Sequence, residues 1–109
     1  MQIQVNTDHN IEGRETLAAW IRGTVETALG RDSDHITRVE VHLTDEDGHK
    51  SGQNDKCCVM EARLQGRQPI AVSDRSETLE QAVNGAAGKL ARLVESTLGR
   101  AAHLDKPQD

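Results

Sequence analysis

The longest regular pattern in this sequence is an amphipathic stretch over residues 76–103, and the rest of the chain must pack around it. Its core-side residues recur at steps of three and four, which predicts one helix with a single apolar face. They are Leu79, Val83, Ala86, Leu90, Leu93, Val94 and Thr97. Ser76 is the predicted N-cap, with Asp74 as the alternative. One face of this helix can therefore dock on a sheet.

A second stripe of the same helix carries Lys89, Arg92 and Arg100. At 3.6 residues per turn, Lys89 and Arg100 lie about 20° apart around the helix axis. The acidic residues of the helix lie elsewhere around it. The helix is therefore predicted to present cations along an edge beside its apolar face.

The apolar residues allow one thin core. The chain has 109 residues and 35% hydrophobic content, with no Phe, no Tyr and the single Trp20, so a single domain is expected. Leu, Val, Ile, Ala and Met must fill the core, which predicts a close approach of helices and sheet. No run is long enough to span a membrane and the N-terminus does not resemble a signal peptide, so a cytoplasmic protein is expected.

The remaining elements follow from alternation and periodicity. Apolar residues alternate with polar ones at each of four predicted strands, and a helix with Trp20 on its margin is predicted over 14–29, with Gly30 after it. The expected fold is an α+β, two-layer β-α-β-β-β-α domain over residues 1–103, with two helices on one face of a four-stranded sheet. Residues 104–109 are expected to form a disordered polar tail. The strand positions rest on Ile3 and Val5, on Val39 to Leu43, on residues 57–64, and on Ile70 and Val72.

The long polar loop over residues 44–56 contains acids and a histidine that could bind a metal ion. The spacing of these residues, however, does not match a known metal site. Asp45, Glu46, Asp47 and His49 lack the alternating acids of a calcium loop, so a mobile acidic loop is the prediction. His49 with the two cysteines lacks the paired spacing of a zinc site. No metal or other cofactor is therefore expected.

Cys57 and Cys58 are adjacent and are the only cysteines. A bridge between neighbouring residues is strained, so both are predicted to be reduced thiols. Glu61, Arg63 and the neighbouring Glu40 are expected on the open sheet face as cross-strand pairs. The sequence thus predicts no catalytic residues, no enzyme activity and no small-molecule substrate.

The net charge of −5 argues against broad nonspecific nucleic-acid binding, but the acids are unevenly placed. Residues 32–56 carry seven acids and three bases, whereas residues 76–103 carry three of each. The acidity is therefore concentrated in the middle of the chain, and the closing helix is not acidic overall.

Three segments resemble the ribosome hibernation-promoting factor and ribosome-associated inhibitor proteins of bacteria, in their short, single-domain form. The segments are Met1-Gln2-Ile3-Gln4-Val5 followed by Ile11-Glu12 and the helix entry at Glu15-Thr16-Leu17, then Asp34-His35-Ile36-Thr37-Arg38-Val39-Glu40-Val41, then Val83-Asn84-Gly85-Ala86-Ala87-Gly88-Lys89-Leu90-Ala91-Arg92. The resemblance covers residues 1 to about 100 and implies a fold similar to double-stranded RNA-binding domains.

The resemblance also implies a function. Such domains bind the small ribosomal subunit in the channel used by mRNA and tRNA, block initiation under stress or in stationary phase, and contact ribosomal RNA through basic residues of both helices. The residues at or near those positions here are Lys89, Arg92 and Arg100 on the closing helix and Arg22 and Arg31 on the first. The alternative for the closing-helix cations is a solvated helix edge.

This chain also departs from the family pattern. Thr24 and Thr27 stand where family members often place lysines, and Glu95 interrupts the cationic run after Arg92. An alternative is therefore a protein-binding regulatory module of the same fold that has lost ribosome affinity. Its partner would pair with the edge strand from Ile70 to Ser73.

Overall fold

The computed structural model describes residues 1–8, 13–45 and 56–105, with side chains described as far as residue 99. The elements follow the predicted order, with a short 3-10 helix added after the first helix. They are β1 (Gln2–Thr7), α1 (Arg14–Leu29), the 3-10 helix (Gly30–His35), β2 (Ile36–Asp45), β3 (Lys56–Leu64), β4 (Ile70–Ser76) and α2 (Leu79–Asp105). The predicted α+β fold class is confirmed.

The four strands form one sheet in the order β1-β2-β3-β4, in which β1 is parallel to β2 and the other pairs are antiparallel. One row of paired residues crosses all four strands, from Val5 to Val41, Met60 and Val72. Because side chains alternate between the two faces of a strand, this row places apolar groups on the same side of every strand. That side is the face covered by the helices.

The core lies between this face and the two helices. Helix α1 contributes Ile21, Val25 and Leu29, all buried. Helix α2 contributes buried residues at three- and four-residue steps, as its sequence pattern predicts. They are Val83, Ala86, Leu90 and Val94, with Ala82 and Ala87 beside them. Small side chains let the helices lie close to the sheet, and Trp20 takes no part in the buried core.

The start of α2 differs from the prediction. The Thr78 side-chain oxygen accepts a hydrogen bond from the backbone N–H of Gln81 at 3.1 Å, so Thr78 is the N-cap. The choice of Ser76 or Asp74 is therefore wrong, because β4 continues as far as Ser76. The end of β4 escapes prediction because its residues facing the helices, Asp74 and Ser76, are polar and do not continue the apolar alternation.

Both sides of the domain have defined connections. Gly66, at φ 69°, lies in the turn between β3 and β4, and β4 is an edge strand as expected. Lys56 Nζ lies 3.3 Å from Asp45 Oδ1 where β2 and β3 meet the acidic loop, and residues 46–55 of that loop lie outside the described part of the chain. Helix α2 reaches Asp105, two residues into the predicted tail, and residues 106–109 are likewise outside it.

Candidate nucleic-acid interface

The predicted RNA-contacting residues lie on the helix layer. Arg22 is on α1, Arg31 is in the 3-10 helix that follows it, and Lys89 and Arg92 are on α2. The backbone of Arg100 also belongs to α2, but its side chain lies outside the described residues. The four described side chains are all exposed, so the fold brings the predicted cations to one layer of the molecule.

Arg31 is held by an acid of the neighbouring helix. Its Nη1 atom lies 3.3 Å from Glu95 Oε1, and the two side chains are 80% and 53% exposed. An ion pair this exposed contributes little to stability, on the order of 0–1 kcal/mol. Glu95 therefore neutralises Arg31 locally while leaving it within reach of solvent.

Lys89 is held more firmly. Its Nζ atom lies 2.9 Å from Asp74 Oδ1 and donates a hydrogen bond to the backbone oxygen of Ser73 at 2.9 Å. The hydrogen bond from Lys89 lowers the pKa of the Asp74 carboxyl below its ordinary value, and the hydrogen bond from Ser76 lowers it further. Lys89 thus joins α2 to the edge strand β4 as well as facing solvent.

Gly85 makes room for this pair. A Cβ atom built on Gly85 would lie 2.4 Å from Asp74 Oδ2, far closer than non-bonded atoms approach. The absence of a side chain at Gly85 therefore lets the carboxylate sit directly against α2.

Arg22 and Arg92 have no ion-pair partner among the described residues. The Arg92 guanidinium lies beside Gly88, where an added Cβ would be 3.7 Å from Arg92 Nη1. Arg22 borders two shallow clefts along β1, and Arg14 lines one of them. Sequence reasoning missed Arg14, although its place in the first turn of the predicted α1 was a usable signal.

A groove of about 650 Å³ runs between α1 and α2, and sequence reasoning did not find it. Its lining combines one exposed aromatic ring with small and polar residues of both helices. They include Trp20, Gly23 and Thr27 of α1 with Asn84, Ala87 and Gly88 of α2. The placement of Trp20 on the margin of the first helix, one turn before Gly23, is the sequence signal for this groove.

The open face of the sheet carries charges that satisfy one another. Glu40 is close to three basic side chains, with distances of 3.3 Å to Arg38 Nε, 3.5 Å to His42 Nε2 and 3.8 Å to Arg63 Nη2. Arg63 Nε lies 3.7 Å from Glu61 Oε1. Only the Arg63–Glu40 contact crosses between strands, as the sequence predicts, whereas the other three join residues two apart on one strand. Because these charges are paired with one another, this face is a weaker candidate for binding phosphate than the helix layer.

The two cysteines lie on opposite faces of β3, as strand alternation requires. Both are free thiols; Cys58 is buried and Cys57 is partly exposed. Burial raises the pKa of Cys58 to about 12, with smaller contributions from Cys57 and Asp74. Within residues 1–8, 13–45 and 56–99, no three His, Cys, Asp or Glu side chains come together, while Glu46, Asp47 and His49 lie outside these ranges.

Membrane insertion through a helix finds no support in the described residues: neither α1 nor α2 combines the length and apolarity that spanning a bilayer requires.

Comparisons with known proteins give a consistent family and fold. The sequence profile of the family described as Sigma 54 modulation protein / S30EA ribosomal protein matches residues 4–101. The N-terminal domain of Protein Y from Thermus thermophilus has a similar structure, with a TM-score of 0.71 at 16% identity over 89% of this chain and 99% of that one. A ribosomal subunit interface protein from Coxiella burnetii gives 0.66 at 18% identity over 91% and 99%. A comparison with curated protein sequences gives no match.

Proposed function

Since this chain belongs to the Sigma 54 modulation protein / S30EA ribosomal protein family, we propose that it is a translation regulator that binds the small ribosomal subunit and blocks initiation under stress or in stationary phase. Its partner on the subunit is ribosomal RNA, and it acts in the cytoplasm. The observation that carries the proposal is the presence of Arg22 and Arg92, two guanidinium groups without ion-pair partners among the described residues, on the two helices of one layer.

The mechanism is occlusion of the decoding channel and involves no covalent chemistry. Arginine and lysine side chains on the helix layer neutralise phosphates and release condensed counterions, which supplies affinity that falls as salt rises. The fit of the domain to a structured RNA channel supplies selectivity without the reading of bases in a duplex. The family is one of ribosome-associated factors and not a family of enzymes.

The cations differ in what binding requires of them. Arg22 and Arg92 can meet a phosphate directly, whereas Arg31 must leave Glu95 and Lys89 must leave or share Asp74. A cation that exchanges one anionic partner for another contributes less binding free energy than a cation that had no such partner among the described residues. Arg22 and Arg92 are therefore the main contacts of the proposal, and Lys89, Arg31 and Arg100 are secondary ones.

Sedimentation with ribosomes tests the proposal. In a sucrose gradient at low salt the protein is expected to travel with the small subunit, and at raised salt it is expected to remain at the top. Arg92→Glu is expected to reduce co-sedimentation strongly, while Arg67→Glu, which makes the same change in net charge in the turn between β3 and β4, is expected to bind as the wild type does. Wild-type protein that stays at the top at low salt would rule the proposal out.

The alternative is a protein-binding module, and the edge position of β4 is the observation in its favour. β4 runs from Ile70 to Ser76 with one side paired to β3, so its other side can add a partner strand. The same gradient separates the two functions, because a protein-binding module would not travel with ribosomes at any salt concentration.

A further inference from the structure

The single tryptophan of this chain lies at its surface and not in its core. The sequence has no Phe and no Tyr, and its single Trp20 is 36% exposed although the core is made entirely of aliphatic and small residues. A large apolar ring is usually the strongest contributor to a core, so its place on the outside of α1 requires another explanation. The groove between α1 and α2, which Trp20 lines, supplies one.

The groove has the features of a site for a flat ring. Apart from Trp20, its described lining consists of glycine, alanine, threonine and asparagine residues, so it contains no second bulky side chain. No described atom lies within 4 Å of a Cβ built on Gly23, which leaves that wall open. Asn84 is exposed, and its amide has no hydrogen-bond partner among the described residues, so it can both donate and accept at the groove.

The charge beside the groove selects an anionic occupant. Gly88 lines the groove, and the guanidinium of Arg92 lies next to Gly88 without an ion-pair partner among the described side chains. The exposed indole can stack on the base of one nucleotide. The amide of Asn84 and the guanidinium of Arg92, neither of which has a partner among the described residues, can contact the polar edge of that base and its phosphate. A purely apolar helix from a partner protein would leave both the amide and the cation unused.

We propose that the groove binds an unpaired nucleotide of RNA, whose base stacks on Trp20 while Arg92 contacts its phosphate and Asn84 contacts its edge. Single-stranded and bulged nucleotides are the parts of RNA whose bases are free to stack on aromatic side chains. This site rests on the proposed function and makes it more specific, because it adds contact with one nucleotide base to an interface otherwise formed between cations of the helix layer and RNA phosphates.

The test compares three variants with the wild-type protein for binding to purified small ribosomal subunits. Trp20→Leu is expected to weaken binding by about 5- to 150-fold, the range for the loss of one stacked base, whereas Trp20→Phe is expected to stay within roughly threefold of wild type. The salt dependence of binding should not change in Trp20→Leu, since stacking releases no counterions, and should become shallower in Arg92→Gln. Circular-dichroism melting checks that each variant is folded.

A cross-link identifies the occupant. With Trp20 replaced by the photoreactive residue p-benzoylphenylalanine, illumination of the bound complex is expected to join the protein to ribosomal RNA. Cross-linking to a ribosomal protein alone, or wild-type affinity of Trp20→Leu, would overturn the nucleotide site while leaving ribosome binding intact. If wild-type protein itself fails to bind the subunits, it is the proposed function that fails, and the two results are thereby distinguished.

Discussion

Gly85 lies where α2 packs against Asp74 of β4, and its lack of a side chain leaves room for the Asp74–Lys89 pair. Alanine normally favours a helix over glycine by about 1 kcal/mol. At this position, however, the added methyl group would lie 2.4 Å from Asp74 Oδ2, and that carboxylate is held by both Lys89 and Ser76. We therefore expect Gly85→Ala to lower the free energy of unfolding by about 1–2 kcal/mol, measured by urea denaturation.

Gly99→Ala is the matched control, since Gly99 is in the same helix and no described atom lies within 4 Å of its added Cβ. It is expected to raise the free energy of unfolding by about 0.5–1 kcal/mol. The double variant Gly85→Ala, Asp74→Ala should recover part of the loss, because the clashing carboxylate is gone. Equal stabilisation by both alanine substitutions would show that the contact between α2 and β4 has space for a methyl group at Gly85.

Asp74 should give the domain an acid-sensitive component of stability. Its folded-state pKa is lowered, so the charged form is favoured by folding, and the stabilisation is present above the unfolded-state pKa of about 4. The stabilisation is lost as the pH falls through the folded-state pKa. Asp74→Asn is therefore expected to be less stable than wild type at pH 7 by up to about 1 kcal/mol, since Lys89 is 46% exposed and solvent screens the pair.

The measurement is urea denaturation of both proteins over a series of pH values from neutral down to about 3. The difference between wild type and Asp74→Asn should shrink below about pH 4 and vanish at the acid end. Asp34→Asn changes an exposed acid of the 3-10 helix and should give a constant difference near zero. A difference for Asp74→Asn that stays the same at every pH would mean that the carboxylate charge does not stabilise the fold.

Helix α2 begins at a side-chain cap that one substitution can remove. The Thr78 oxygen satisfies the free N–H of Gln81, and Thr78→Ala leaves that donor without its partner. We expect Thr78→Ala to lower the free energy of unfolding by about 1 kcal/mol, whereas Thr78→Ser should retain most of the wild-type stability. Ser96→Ala, an exposed change in the middle of the same helix, should stay within about 0.5 kcal/mol of wild type. Comparable losses at Thr78 and Ser96 would argue against the cap.

Periodicity predicts the elements of this fold well because burial controls them. Helix α1 has the predicted bounds, and the alternation at Val39, Val41 and Leu43 identifies β2 and its buried face. The end of β4 and the cap of α2 could not be predicted in this way. Both depend on polar residues, and Ser76 and Thr78 are equally good caps until the hydrogen-bond partner is known.

The candidate site was predictable only in part, for a different reason. The pattern places Lys89 and Arg92 on one stripe of α2, and the fold keeps them there. Whether these cations are available to bind phosphate, however, depends on contacts between elements. The pairing of Lys89 with Asp74 on β4 cannot be predicted from the spacing of residues within α2. The groove beside Trp20 also needs both helices in place, so no pattern within a single helix could reveal it.

The charge of the whole molecule does not decide what its helix layer can bind. The net charge is −5, yet Arg22 and Arg92 lack ion-pair partners among the described residues, while Arg31 and Lys89 of the same layer pair with nearby acids. Glu95 and Asp74 therefore compete with RNA phosphates for Arg31 and Lys89. Affinity for ribosomes should respond to the removal of a particular acid and not simply to total charge.

Glu95→Gln tests this competition, because it frees Arg31 without adding a new cation. We expect binding to small ribosomal subunits to tighten by about 2- to 5-fold, the equivalent of one exposed ion pair that no longer has to be broken. The logarithm of affinity should also fall more steeply with the logarithm of salt concentration, by about one unit of slope, as one more phosphate is neutralised. Sedimentation at several salt concentrations gives both quantities.

Glu26→Gln is the control for that experiment, since it changes the net charge equally on α1 and Glu26 has no ion-pair partner among the described residues. It is expected to leave the affinity and the salt dependence close to those of wild type, because it releases no cation. If the two variants tighten binding equally, total charge governs the association and Arg31 has no special place in it. Losing an acid that competes with phosphate can by itself only favour binding. Weaker binding by Glu95→Gln would therefore mean that the Arg31–Glu95 pair holds the helix layer in the shape that binds.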